Sequence, residues 1–155
     1  MRFSGRRTIV SLLLLSTLCA GSVAAASSAS ASTAFAPTYS ERHMVDLINQ
    51  SRRQVGRAPL ALSFALSRIA RTHSALMAAK NTIFHTSNLA YQFRTFSWTY
   101  GGENVGMGPT IDALHKAFMA SLHHRQNNLN GRFHRVGVGV VWKNGIAFIT
   151  VEFLS

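Results

Sequence analysis

Apolar residues recur at helical spacing in three stretches of this chain. The first follows Thr38, which forms a capping box with Glu41; Met44, Leu47, Ile48 and Val55 then share a face until Gly56 stops the run. The second starts near Ser63, with Leu62, Leu66, Ile69, Ala70, His73, Leu76 and Met77 at three- and four-residue steps. The third is capped by Thr110 and carries Ile111, Leu114, Phe118, Met119 and Leu122, ending on His123 and His124. The period then changes to two. Val136, Val138 and Val140 alternate with Gly137, Gly139 and Val141, Asn144-Gly145 supplies a tight turn, and residues 146–153 return as the second arm of a hairpin. Glycines along one side of a strand mean that something packs very close to it. A hairpin alone is too small a sheet to be stable, and residues 100–106 are the candidate third strand. Helices followed by an antiparallel hairpin predict an α+β fold, with helices laid against a small antiparallel sheet.

Between residues 81 and 109 neither period holds, and the segment fills with Phe84, Tyr91, Phe93, Phe96, Trp98 and Tyr100. Loops normally shed aromatics, so this stretch is expected to fold onto the body or to line a cleft.

The N-terminus changes the picture of where the chain works. Arg2, Arg6 and Arg7 precede an apolar run over residues 8–20, and Ala-rich cleavage sites follow. That is an export signal over residues 1–31, its apolar run shorter than the roughly 20 residues of a membrane-spanning helix. A Ser- and Ala-rich flexible leader over residues 32–39 and one domain over residues 40–155 complete the expected organisation, for a protein secreted or held in the periplasm or cell envelope. The single cysteine, Cys19, leaves with the signal, so packing alone must hold the domain. The exported part keeps thirteen basic residues against five acids, a net charge of +8. Such a surface is drawn to anionic envelope polymers or lipid headgroups, while the scattered charges show no nucleic-acid motif and predict no nucleic-acid partner.

With so few acids, each can be weighed. Glu41 and Asp112 fall in first turns of helices, where the dipole favours them, and Asp46 lies on a polar face. Glu103, in Gly101-Gly102-Glu103-Asn104, has no such explanation and can be presented to a cleft or bond loop amides. Among the histidines, His73 falls on an apolar helix face and reads as a packed core residue. His43, His115 and His134 read as surface residues, and His85 faces the aromatic region. No local metal-binding, phosphate-binding or nucleophile motif is present, so no catalytic residue can be assigned and any site is assembled from distant segments.

Set in order, several stretches resemble the bacterial branch of the CAP superfamily, the group of cysteine-rich secretory proteins, antigen 5 and pathogenesis-related 1. They are Leu47-Ile48-Asn49 with Gly56-Arg57-Ala58-Pro59-Leu60, Ala70-Arg71-Thr72-His73-Ser74, Phe84-His85-Thr86-Ser87, Gly102-Glu103-Asn104-Val105, Ser121-Leu122-His123-His124-Arg125-Gln126-Asn127, and Val136-Gly137-Val138-Gly139-Val140. The resemblance implies an α-β-α sandwich around a three-stranded antiparallel sheet. It also implies a cleft tetrad of two histidines and two acids, of which His85, Glu103 and His124 match, with Asn104 and Ser121 as candidate supports. The second acid is missing: Phe118 stands where the family has tryptophan, and Ser121 where it has the acid. Three functions are then open, two from the resemblance and the third from the basic surface. One is a non-enzymatic binding module for a lipid, a small apolar ligand or a cell-surface partner, with its groove residues unassigned. Another is a metal-dependent hydrolase holding a divalent cation such as zinc on His85, Glu103 and His124. The third is a factor that binds an anionic cell-envelope polymer.

Overall fold

The computed structural model describes residues 35–155; the expected export signal over residues 1–31 and the start of the expected leader lie outside the described residues. The two helix caps read from the sequence, Thr38 and Thr110, are realised, and the helix expected from about Ser63 is capped by that residue. Helix α1 (Tyr39–Gln54) opens on Thr38 with both halves of the Thr38–Glu41 capping box formed. Helix α2 (Phe64–Lys80) opens on Ser63, and α4 (Ile111–Ala120) on Thr110, each cap side chain accepting from a first-turn N–H. Between α2 and α4 the chain forms a single turn, α3 (Leu89–Gln92), and strand β2 (Gly101–Gly108). Helix α5 (Leu122–Leu129) and the hairpin β3 (Arg135–Lys143) with β4 (Ile146–Leu154) complete the domain. Asn144 and Gly145 both have positive φ, as a two-residue hairpin turn requires.

The three expected antiparallel strands are present in the order β3-β4-β2, and a fourth extends the sheet. Strand β1 (Ala61–Leu62) pairs parallel with β3 through only two residues. Beyond that short partner, the N–H groups of Val138 and Val140 reach side chains instead: Val138 donates to Ser67 Oγ of α2 and Val140 to Glu41 Oε1 of α1. An edge that would otherwise expose backbone donors is thereby covered.

Alternation along the strands divides the sheet into two faces. Val136, Val138, Val140, Ile149, Val151 and Phe153 join Met44, Ile48, Leu114 and Phe118 in the main core, beneath α1 and α4. The opposite face meets α2. A Cβ on Gly137 would lie 2.3 Å from Leu66 Cβ, and one on Gly139 would lie 2.0 Å from the Arg71 backbone nitrogen. The glycine side is where α2 lies against the sheet. The layers are joined at one end by an ion pair between Glu41 of α1 and Arg71 of α2.

The third helical run breaks earlier than its pattern predicts. Ser121 is extended (φ −81°, ψ 127°), ending α4 and starting α5, while Arg125 Nη1 donates to the Met119 carbonyl. His123 and His124 therefore sit in the first turn of α5 rather than at the C-terminus of α4. The helix dipole that would favour cations at a C-terminus opposes them here.

Candidate functional site

Strand β2 lies at the sheet edge, so its neighbours come from both layers. Glu103 points to the α2 side; its side chain is 1 % exposed and tied on three sides. Thr86 donates its backbone N–H to Oε1 at 2.9 Å and its hydroxyl to Oε2 at 2.7 Å. His85 Nδ1 lies 2.7 Å from Oε1, and because a carboxylate only accepts, the proton sits on that nitrogen. The His85 ring is otherwise exposed, at 62 % of its side-chain surface. Glu103 thus orients His85 and fixes its tautomer from behind.

His73, a buried residue as expected, forms the floor. Its Nε2 donates to the Phe84 carbonyl at 2.8 Å and its Nδ1 lies 3.3 Å from Thr86 Oγ1. On the other side of β2, Asn104 is fully buried. It donates through Nδ2 to the His124 carbonyl at 3.0 Å and to Asn128, and accepts from Asn127, which anchors the first turn of α5. The half-buried His124 ring packs 4.9 Å from Phe118, centroid to centroid. Burial lowers its pKa, as do the nearby charges of His85 and then His123. Ser121 caps α5 without a side-chain hydrogen bond.

Glu152 is the residue that sequence pattern does not single out. It faces Glu103 directly in the β2–β4 register and is fully buried. Gln92 Nε2 of α3 donates to its Oε1 at 2.5 Å, whereas Oε2 makes no hydrogen bond among the described residues. Burial, and then the Glu103 charge, push its carboxyl well above the usual carboxylate range, so it keeps its proton to higher pH than an ordinary carboxylate does. A second acid therefore does stand beside Glu103, but it comes from β4 rather than from the Ser121 position. Its signal in the sequence is the period of two that aligns Phe148, Thr150, Glu152 and Leu154 on one face.

Among the described residues no group of three His, Cys, Asp or Glu side chains is arranged to hold a metal ion. Both Glu103 oxygens are engaged by Thr86 and His85, and Glu152 is buried behind Gln92.

Two adjoining depressions open beside the network. One, of about 370 Å³, is lined by His73, Leu76, Phe84, His85, Thr86 and Gln92. The other, of about 420 Å³, runs along α3 and is lined mainly by Ile69, Ser87, Asn88, Tyr91, Arg94 and Thr95. The aromatic segment divides between core and cleft. Phe93 is fully buried with Leu66 and Leu154, backed by Phe96 and Trp98, whereas Phe84 and Tyr91 line the depressions.

Elsewhere, His134 is exposed as expected, but His43 and His115 are half-buried between α1 and α4. His43 Nε2 lies 3.1 Å from Asp112, and His115 Nε2 lies 3.2 Å from Ser51 Oγ.

The fold and sequence have clear relatives. An extracellular protein containing an SCP domain from Bacillus anthracis str. Ames superposes with a TM-score of 0.68 at 27 % identity, covering 74 % of this chain and 40 % of that one. An outer surface protein from Borrelia burgdorferi matches with a TM-score of 0.68 at 16 % identity, covering 74 % of this chain and 90 % of its own, a likeness of fold alone. The uncharacterized protein YkwD of Bacillus subtilis (strain 168) is 35 % identical over 113 residues, which span 68 % of this chain but only 44 % of YkwD. The cysteine-rich secretory protein (CAP) family profile matches residues 45–153, nearly the whole described domain. With the ordered motifs, the α-β-α layers and this match in agreement, the chain belongs to the CAP family.

Proposed function

We propose that this chain is an extracellular binding module, acting by holding a ligand or cell-surface partner in the cleft beside His85 and α3. The carrying observation is that the carboxylates behind the cleft wall are committed to neighbouring side chains. Thr86 and His85 are hydrogen-bonded to Glu103, and Gln92 to Glu152, beside open depressions, an arrangement that shapes a surface and leaves no nucleophile and base aimed at a substrate. The extracellular placement rests on the export signal and on the B. anthracis neighbour, described as extracellular. Among the described residues, no helix is long and apolar enough to cross a membrane. The cleft wall mixes hydroxyl and amide groups with Ile69 and Tyr91, which suits a ligand having both an apolar face and hydrogen-bonding groups.

Native mass spectrometry of the secreted protein, joined to NMR mapping of the ligand it retains, tests this reading. Backbone amides of residues 85–95 are expected to shift on rebinding, and the ligand to be recovered chemically unchanged. Shifts confined to another surface, or a ligand that is turned over, would overturn it. With both Glu103 oxygens engaged by Thr86 and His85, excess zinc is expected to leave the melting temperature of the protein and of a His124→Ala variant unchanged. A zinc-dependent rise lost in that variant would restore the metal-site reading.

A further inference from the structure

We propose that the depression along α3 is a subsite for an acidic sugar unit of an anionic polysaccharide, with the Tyr91 ring as stacking surface and the Arg94 guanidinium as charge partner. This rests on the binding-module reading and adds what the cleft recognises.

The lining chemistry is the first ground. Tyr91 is 63 % exposed at the cleft wall, a large aromatic surface left in water. The Arg94 guanidinium lies 3.9 Å from its ring centre and is fixed by an Nη1 hydrogen bond of 2.8 Å to the Tyr91 carbonyl. A guanidinium is a planar fork of N–H donors suited to a carboxylate, and most of that fork remains beyond this one bond. Ser87, Asn88 and Thr95 bring hydroxyl and amide groups to the same wall, with Ile69 as an apolar patch. A sugar ring presents what this wall complements: an apolar C–H face for the tyrosine and hydroxyls for the small polar side chains.

The second ground is the field around the cleft. Residues 47–102, which include α2 and α3, contain no acidic side chain at all. Of the five acids in the described domain, Glu41, Glu103 and Glu152 are buried, and the exposed pair, Asp46 and Asp112, lies on α1 and α4 in the other layer. Arg68 and Lys80 of α2 and Arg94 just after α3 are exposed. A surface of one sign around the depression draws in and retains a polyanion.

Other occupants suit the wall less well. A lipid tail wants an enclosed apolar cavity, and this cleft is open and carries hydroxyl, amide and guanidinium groups on its wall. A single-stranded nucleic acid is bound along a track of successive aromatic platforms, and here one ring is presented.

Calorimetric titration of the secreted protein with oligogalacturonate and with its neutral methyl ester separates charge from sugar shape. The ester is expected to bind about tenfold more weakly than the acid. Arg94→Gln should bring the acid down to the level of the ester and leave the ester unchanged. Tyr91→Ala should weaken both ligands by about tenfold. Both side chains are exposed, so unchanged melting curves are expected to accompany these losses. Equal binding of acid and ester, either variant binding like the parent, no binding of the saccharide, or preference for phosphatidylglycerol vesicles or a single-stranded oligonucleotide would each overturn the proposal. If the retained ligand still shifts the amides of residues 85–95 while the Tyr91 and Arg94 variants bind it normally, the subsite falls and the binding-module reading stands.

Discussion

The two faces of the sheet are built on different principles. Toward α1 and α4, valines, isoleucine and phenylalanine interdigitate with methionine, leucine and phenylalanine, and the polar side chains buried on that side, Asn104, Asn128 and Arg52, gather toward its α5 end. Toward α2, the sheet offers Gly137, Gly139, Thr150 and Glu152, and the helix answers with small polar groups. Ser74 Oγ bonds the Gly139 carbonyl and Thr150 Oγ1, each at 2.9 Å, and Ser67 Oγ accepts from Val138 N–H. The first face is held by burial of large apolar side chains. The second is held by close backbone approach and matched hydrogen bonds, and its polar character continues at the β2 edge into Glu103, Thr86 and His85. The candidate site is an extension of the face that already tolerates buried polar groups.

The largest expected effect comes from closing the gap between α2 and the sheet. In Gly139→Ala the new methyl would meet backbone atoms of Ala70 and Arg71 within 2.3 Å, and backbone cannot swing aside as a side chain can. A loss of more than about 4 kcal/mol is expected in urea denaturation, against about 2–3 kcal/mol for Val138→Ala on the apolar face. If Gly139→Ala proved the milder of the two, the close-approach account of the α2 face would be wrong.

The next effect tests the tie between layers. Glu41 is fully buried and accepts from Arg71, Thr38 N–H and Val140 N–H, so it links α1, α2 and β3. Glu41→Gln removes the charge and keeps the shape, with an expected cost of about 2 kcal/mol, discounted because Arg71 is 30 % exposed. Burial raises the Glu41 pKa, but its bonds from Arg71 and the two backbone N–H groups outweigh that and hold it below the ordinary carboxylate value. The unfolded chain therefore takes up the proton first as pH falls. The stabilisation is complete above the ordinary carboxylate range and is lost as pH falls through the lowered value. Parent and variant should converge in stability in acid; a gap that persists there would mean that shape rather than charge makes the tie.

Much of this contrast is legible along the chain, and what is not has a physical reason. Thr38, Ser63 and Thr110 mark helix starts because capping is decided by a few neighbouring residues. The glycine side of β3 announces the close approach of α2, and residues 100–106 show up as strand β2 through the need for a third partner. Ser121 gives no local sign of the break before α5, since Leu122 keeps the apolar spacing of α4. The two-residue β1 is too short to carry a period. Glu152 depends on the register between β2 and β4, strands separated by two helices and a third strand, and no local pattern sets that pairing. For the same reason His85, Glu103 and His124 can be named from motifs while their arrangement cannot: Glu103 orients His85 from behind, and His124 reaches the site from the other layer.

The smallest effect is the most specific, because it opposes in sign the one at Glu41. The folded protein keeps on Glu152 a proton that the unfolded chain releases in the ordinary carboxylate range. Above that range the native state binds more protons than the unfolded state, so this residue makes stability fall as pH rises, until its own raised pKa is reached. Glu152→Gln replaces a carboxyl that must stay protonated with an amide that has no proton to lose. Its oxygen can still accept from Gln92 Nε2, and its amide group can donate toward Glu103. The variant should match the parent in acid and exceed it at neutral and alkaline pH, with the stability maximum moved upward. Glu152→Ala should lose stability at every pH, since it leaves Gln92 without its acceptor and opens a cavity beside Glu103. Parallel pH profiles for the parent and Glu152→Gln would show that Glu152 carries no extra proton, and would remove the distinction between a face held by burial and a face held by matched polar groups.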